Sequence, residues 1–328
     1  MRFMTVLSEQ RELPALWLDD ARVLSLPDAF ALAAQEGLIE RDRSVPSTLL
    51  GIIAGGEAVL KDCHRLQRAA AGGDLLPACL PAGSISVIAP IPRPAKNVFC
   101  VGKNYAAHVS EGARAQKIDA GLPEYPVFFS KPPTAVVGPD ASVRLDPRVS
   151  SNMDYEVELA VIVGTAGRDI QADHAMQHVF GFTILNDITA RDVQRRHGGQ
   201  FLKGKGLDTS CPLGPSIVTI DELSTYDNLA IRLSVNGELR QNGNTRDMIF
   251  SIPDLIESLS AGMTLEPGDI IATGTPSGVG YAMEPPRFLA HGDVVICEVE
   301  GIGSLSNEII DVSRVQESEE GSVFAAAE

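Results

Sequence analysis

Residues 154–164 read Asp-Tyr-Glu-Val-Glu-Leu-Ala-Val-Ile-Val-Gly. Polar and apolar positions alternate at the start, and the run then becomes continuously apolar. Such a strand enters a core that covers both of its faces. Glu156 and Glu158 then project from one face, roughly 6.5–7 Å apart along the strand. Like charges so placed repel and are costly to desolvate, so a buried strand demands a cation nearby. A solvated strand end accounts for this stretch alone equally well.

A second strand-like run, GFTILND, ends in Asn186-Asp187, where it should emerge from the core. Glu156, Glu158 and Asp187 make an all-oxygen set without His or Cys. Such hard ligands suit Mg²⁺, Mn²⁺ or Ca²⁺ and disfavour zinc or copper. Three protein ligands leave open positions for water or a chelating substrate.

The chain has 328 residues, enough for two domains or one large β domain. Residues 1–88 mix short strands with helices and are expected to form a small N-terminal α/β (α+β) domain. MRFMTVL reads as a strand and ALWLDDARVLSL as a hairpin bent at Asp19-Asp20. SVPSTLLGII opens a helical stretch that Gly55-Gly56 can break. The proline-rich stretch APIPRPAK (89–96) marks the boundary, and β texture follows. Asn236-Gly237 signals a hairpin, and SIPDLIESLSAG a helix. The fold class expected is α+β, mainly β, with a domain at 89–312 and a flexible acidic tail at 313–328.

With 43 Asp+Glu against 27 Lys+Arg the formal charge is −16. That excludes a bulk electrostatic role on nucleic acid or anionic membrane. No apolar run reaches the ~18–20 residues of a membrane span, and the N-terminus lacks a signal peptide's apolar region. A cytoplasmic location is expected. The cysteines, Cys63, Cys79, Cys100, Cys211 and Cys297, are odd in number and widely spaced, which argues against disulfides or a zinc knuckle. Gly199–Lys205 reads G-x-x-x-x-G-K, but Gly206 stands where a P-loop needs Ser or Thr, and no buried strand precedes it.

Several ordered blocks, among them VGKNYAAHVSEG, PVFFSKPPTAVVGP, DYEVELAVIVG, GFTILNDITARDVQ, KGKGLDTSCPLGP and LEPGDIIATGTPSGVG, resemble the fumarylacetoacetate hydrolase family. The likeness is to its acylpyruvate hydrolase branch and covers roughly residues 97 to 310. It implies a mixed, rolled β-sandwich whose mouth holds one divalent metal, Mg²⁺ or Mn²⁺ with Ca²⁺ possible, in a homodimer. The metal ligands implied are Glu156, Glu158 and Asp187. His108 and Glu111 match an H-x-x-E pair on a short helical turn, and Lys205 completes the catalytic set. Arg191, Gln194, Lys131, Tyr105 and Thr275 fall at substrate-contacting positions. A fourth metal carboxylate of the founding enzyme falls at Val101, which places this chain in the three-carboxylate branch.

The activity implied is C–C hydrolysis of acylpyruvates, small anionic keto acids. Glu111 would orient His108, His108 would activate water, and Lys205 with Gln194 would stabilise the oxyanion. The same site could instead serve oxaloacetate decarboxylation, hydroxymuconate-type isomerisation or keto-deoxy acid dehydration. Residues 106–125 are expected to form a lid. Arg195, Arg196 and His197 are expected on a solvated helix face, and His64, His174, His178 and His291 to be structural.

Overall fold

The computed structural model describes residues 1–40, 45–119 and 121–314, so most of the expected acidic tail lies outside the described residues. The fold is mixed α/β and mainly β, built on two open sheets. No described helix is long and apolar enough to cross a membrane.

The strand Val157–Val163 is central to the larger sheet. It pairs antiparallel with Val179–Asn186 on one side and with Ile270–Ala272 on the other. Its side chains divide between two cores at the period-2 spacing of a strand. Leu159, Val161 and Val163 pack in the cluster shared with the five-stranded sheet, beside Ile231, Leu233 and Cys297. Ala160 and Ile162 pack in the cluster that holds the N-terminal helices, beside Phe30, Ile52 and Leu66. Both faces are covered, so the strand is apolar at every position after Glu158.

The face of Glu156 and Glu158 continues inward as Ala160 and Ile162. Those two carboxylates therefore stand where the strand leaves a fully enclosed layer. Asp187 stands opposite, its backbone N–H donating to the Glu156 carbonyl at 2.8 Å.

Local signals held where their physics is local. Asn236 and Gly237 both adopt left-handed φ, 52° and 78°, at the turn between Ala230–Val235 and Glu238–Asn244. The helix Ile252–Ser260 opens on Ser251 with a full capping box to Asp254. Gly56, at φ 63°, separates the helices Leu49–Ala54 and Gly56–Gly72.

The segments on either side of the proline-rich stretch share one sheet. The first strand, Arg2–Ser8, pairs antiparallel with Cys211–Thr219, matching Phe3 to Ile217. The Met1 ammonium donates to Thr219 Oγ1 at 2.6 Å and to Glu222 Oε2 at 3.0 Å. Thr5 Oγ1 donates to the Pro90 carbonyl at 2.7 Å. Backbone pairing thus crosses the boundary expected at residues 88–89.

All five cysteines are free. Burial pushes the Cys63 and Cys211 thiols up to about 12, which keeps them protonated and inert.

Close strand approach makes a prediction. A Cβ at Gly181 would lie 2.3 Å from the Val218 carbonyl oxygen of the paired strand. Gly181→Ala should push that pair apart and cost about 1–3 kcal/mol, read as a lower urea midpoint at unchanged slope.

Candidate active site and metal centre

The side chains that converge come from separate segments joined only by the sheet. Glu156 and Glu158 come from the entry of the central strand, and Asp187 from the exit of its neighbour. Their ligand oxygens all lie within 4.8 Å of one another, and all three residues are buried. Arg191 opens the short helix Arg191–Arg196, and Lys205 ends the short helix Leu202–Lys205. The failed P-loop string therefore supplies an ammonium to carboxylates, not to phosphate.

Lys205 Nζ bridges two acids, donating to Glu156 Oε2 at 2.7 Å and Asp187 Oδ2 at 2.6 Å. Arg191 bridges Asp154 and the same Glu156, from Nε to Asp154 Oδ2 at 2.8 Å and from an outer nitrogen to Glu156 Oε1 at 2.6 Å. Lys131 is wholly buried beneath the cluster and donates to Asp187 Oδ1 at 2.7 Å and to the Ile188 carbonyl at 3.1 Å. Among the described residues Glu158 receives only a backbone donor, Gly274 N–H, at 2.8 Å.

Charge counting shows what this arrangement lacks. Asp154, Glu156, Glu158 and Asp187 are four buried carboxylates, against three buried cations, Lys131, Arg191 and Lys205. Burial would raise the Glu156 carboxyl, but Lys205, Arg191 and His108 outweigh it and hold it well below its ordinary value. Burial raises Glu158 as well, and Asp187 and Glu156 push it further, well above the carboxylate range. Burial would lower the Lys205 ammonium, but Asp187 and Glu156 hold it above its ordinary value. A divalent cation among Glu156, Glu158 and Asp187 would supply the missing positive charge. The buried, all-oxygen donor set fits one of the Mg²⁺, Mn²⁺ or Ca²⁺ kind.

Above the cluster lies a cavity of about 310 Å³, lined by Glu156, Glu158, Lys205, Arg191, Gln194 and Thr275, among others. His108 and Glu111 lie one turn apart on the helix Ala106–Gln116, longer than the short turn expected. His108 Nδ1 is 2.9 Å from Glu111 Oε1, and Gly278 N–H donates to Glu111 Oε2 at 2.8 Å. The carboxylate is pinned at both oxygens, so it fixes the imidazole and leaves Nε2 for the cavity that His108 lines.

Other placements differ from expectation. Lys131 and Tyr105 do not line the cavity. Lys131 supports Asp187 from below, and the buried Tyr105 hydroxyl has no hydrogen-bond partner among the described residues. The first half of the expected lid is the His108 helix, a cavity wall. Arg195 is exposed, as expected of a solvated helix face, and it also lines the cavity.

Asp154 and Tyr281 escaped the sequence reading. Asp154 receives Arg191 and the N–H groups of Gly280 and Tyr281, at 2.8 and 3.2 Å for the two amides. Its position two residues before Glu156, at the period-2 spacing, was an available signal, although it ends a separate short strand, Met153–Asp154. Tyr281 closes one wall with its ring under Arg191, 4.4 Å from guanidinium carbon to ring centroid, and no local pattern marked it.

Fold and site together define an enzyme built around a buried carboxylate centre at the mouth of a mixed sheet. Residues 97–310 match the family described as fumarylacetoacetate (FAA) hydrolase, C-terminal, and the chain belongs to that family. It is 43% identical over 311 residues to the oxaloacetate tautomerase YisK of Bacillus subtilis (strain 168), covering 94% of this chain and 100% of that one. It is 44% identical over 270 residues to the mitochondrial oxaloacetate tautomerase FAHD2A of Homo sapiens, covering 82% of each. Among solved structures it resembles a fumarylacetoacetate hydrolase from Exiguobacterium antarcticum, with TM-score 0.75, 34% identity and 95% and 99% coverage of the two chains. A 5-carboxymethyl-2-hydroxymuconate delta-isomerase from Mycobacterium smegmatis gives TM-score 0.69, 32% identity and the same coverage.

These relatives overturn the expectation of acylpyruvate hydrolysis. Curated relatives that match over most of their length, YisK and FAHD2A among them, are named as oxaloacetate tautomerases. The motif blocks carry a site common to several reactions, so they select the family and not the bond that changes.

Support of Asp187 by Lys131 can be tested directly. Lys131→Met leaves Asp187 buried without one of its cations and should cost about 3–5 kcal/mol, measured by denaturant unfolding. Saturating Mn²⁺ should restore part of that loss, because it binds the folded chain.

Proposed function

We propose that the protein is a tautomerase that interconverts the keto and enol forms of oxaloacetate. The observation that carries this reading is the 43% identity across the whole of a protein named for that activity. The site chemistry supports it. Tautomerisation removes a proton from C3, moves the electron pair toward C2 and returns a proton to the C2 oxygen. No water is consumed and no carbon–carbon bond breaks.

His108, oriented by Glu111, is the group suited to take and return the C3 proton. Lys205 lines the cavity, and its ammonium is the protein donor suited to the C2 oxygen as negative charge develops there. Glu156, Glu158 and Asp187 would hold Mg²⁺ or Mn²⁺, which when bound supplies an electrophile beside the substrate's carboxylate and keto oxygens. The muconate neighbour among the solved structures is likewise named as an isomerase, which supports a reaction without hydrolysis.

The test follows the enol band of freshly dissolved oxaloacetate by ultraviolet absorbance, with pyruvate assayed in parallel. The wild type with Mg²⁺ should speed enol–keto equilibration without releasing pyruvate, and EDTA should remove the effect. His108→Ala should lose about 10²–10⁴-fold in rate while retaining Mn²⁺ binding by calorimetry. Absence of any acceleration would overturn the proposal, and pyruvate formed in step with enol loss would replace it with decarboxylation.

A further inference from the structure

The helix Arg191–Arg196 carries three arginines with three different fates. Arg191 is ion-paired to Asp154 and Glu156. Arg196 pairs with Asp192, one turn back, at 3.5 Å. Among the described residues Arg195 has no carboxylate partner, although the chain carries 43 acids against 27 Lys and Arg. In place of an acid, Arg195 has an aromatic face. Its guanidinium carbon lies 5.4 Å from the centroid of the Tyr281 ring, the ring that also holds Arg191.

Tyr281 is itself held in place. A Cβ at Gly112, on the His108 helix, would lie 2.6 Å from the Tyr281 hydroxyl, so that helix and the ring are in close contact. The ring receives Arg191 and Arg195, and all three residues line the cavity that holds Glu156 and Lys205. The guanidinium of Arg191 is committed to carboxylates of the protein, while that of Arg195 retains its donors.

We propose that Arg195 reads the distal carboxylate of a dicarboxylate 2-keto acid. The proposal rests on the oxaloacetate reading above and names what distinguishes that substrate from a neutral-ended one. Oxaloacetate presents a carboxylate and keto oxygen at one end and a second carboxylate at the other. The buried centre accounts for the first end. The second needs a cation whose charge is not already neutralised, and the exposed Arg195 guanidinium beside the Tyr281 ring offers paired donors at the cavity wall.

Acetylpyruvate is the probe that isolates this end, because a methyl ketone replaces the distal carboxylate at nearly equal size. Dissociation constants of both ligands are measured by calorimetry in Mg²⁺. Arg195→Gln should weaken oxaloacetate about tenfold, as for loss of one charge-assisted contact, and acetylpyruvate less than twofold. Arg196→Gln, which breaks only the pair with Asp192, should change neither. An unchanged oxaloacetate constant in Arg195→Gln, or equal weakening of both ligands, overturns the proposal. If the wild type binds oxaloacetate without tautomerising it, the function above fails while the ratio of constants still decides Arg195. If the wild type does not bind oxaloacetate, both fail.

Discussion

The balance of charge inside the core is the interaction on which the rest of this protein depends. Four carboxylates lie buried beside three cations. Charges out of water are tolerated only when their lone pairs and protons are engaged from several sides. Glu156 receives Lys205 on one oxygen and Arg191 on the other. Asp187 receives Lys131 and Lys205 in the same divided way. Glu158 is left with a backbone amide, beside the two acids with which it would share a metal. The network holds the strand ends in place and leaves a deficit of positive charge at one point, where a divalent ion fits.

The same balance explains how an acidic chain can present a cavity suited to an anion. The acids of the cavity floor are already met by cations, so their field at the opening is largely cancelled. Arg191 is committed to that cancellation, and the wall formed by Tyr281 and Arg195 adds charge beyond it. Across the cavity, the His108–Glu111 pair stands on a helix and is tied to Gly278 on the far loop. Its geometry is thus set by two elements distant in sequence. The arrangement favours chemistry through an enolate-like charge, which hydrolysis, decarboxylation and tautomerisation can share. The family resemblance therefore reached the site and not the reaction, and the relatives named as tautomerases corrected it.

Much of the architecture was legible wherever a feature depends on neighbours within a few residues. Period-2 spacing placed Glu156 and Glu158 on one face, and the apolar run after them announced a strand covered on both sides. Asn236-Gly237 made its turn, and Ser251 capped its helix. The i, i+3 spacing of His108 and Glu111 put them in contact. Lys131 and Tyr105, expected at substrate contacts, do not line the cavity, because burial depth is set by what packs above a residue and not by its own motif. The cavity placements of Arg195 and Tyr281 went unread for the same reason: a solvated cation near a helix end and a tyrosine on a distant 3-10 turn have no joint pattern in the chain.

By itself the sequence determined which segments could be strands, where the acids would cluster and which hard cations such a cluster could hold. These follow from backbone periodicity and ligand chemistry, which act over short range. The tertiary structure alone decided that Phe3 would pair with Ile217, that Lys131 would end beneath Asp187, and that Arg195 would face the cavity while Arg196 turned to Asp192. Those outcomes depend on contacts between residues tens to hundreds of positions apart. Only the folded sheet, with both faces of its central strand covered, brings them within bonding distance.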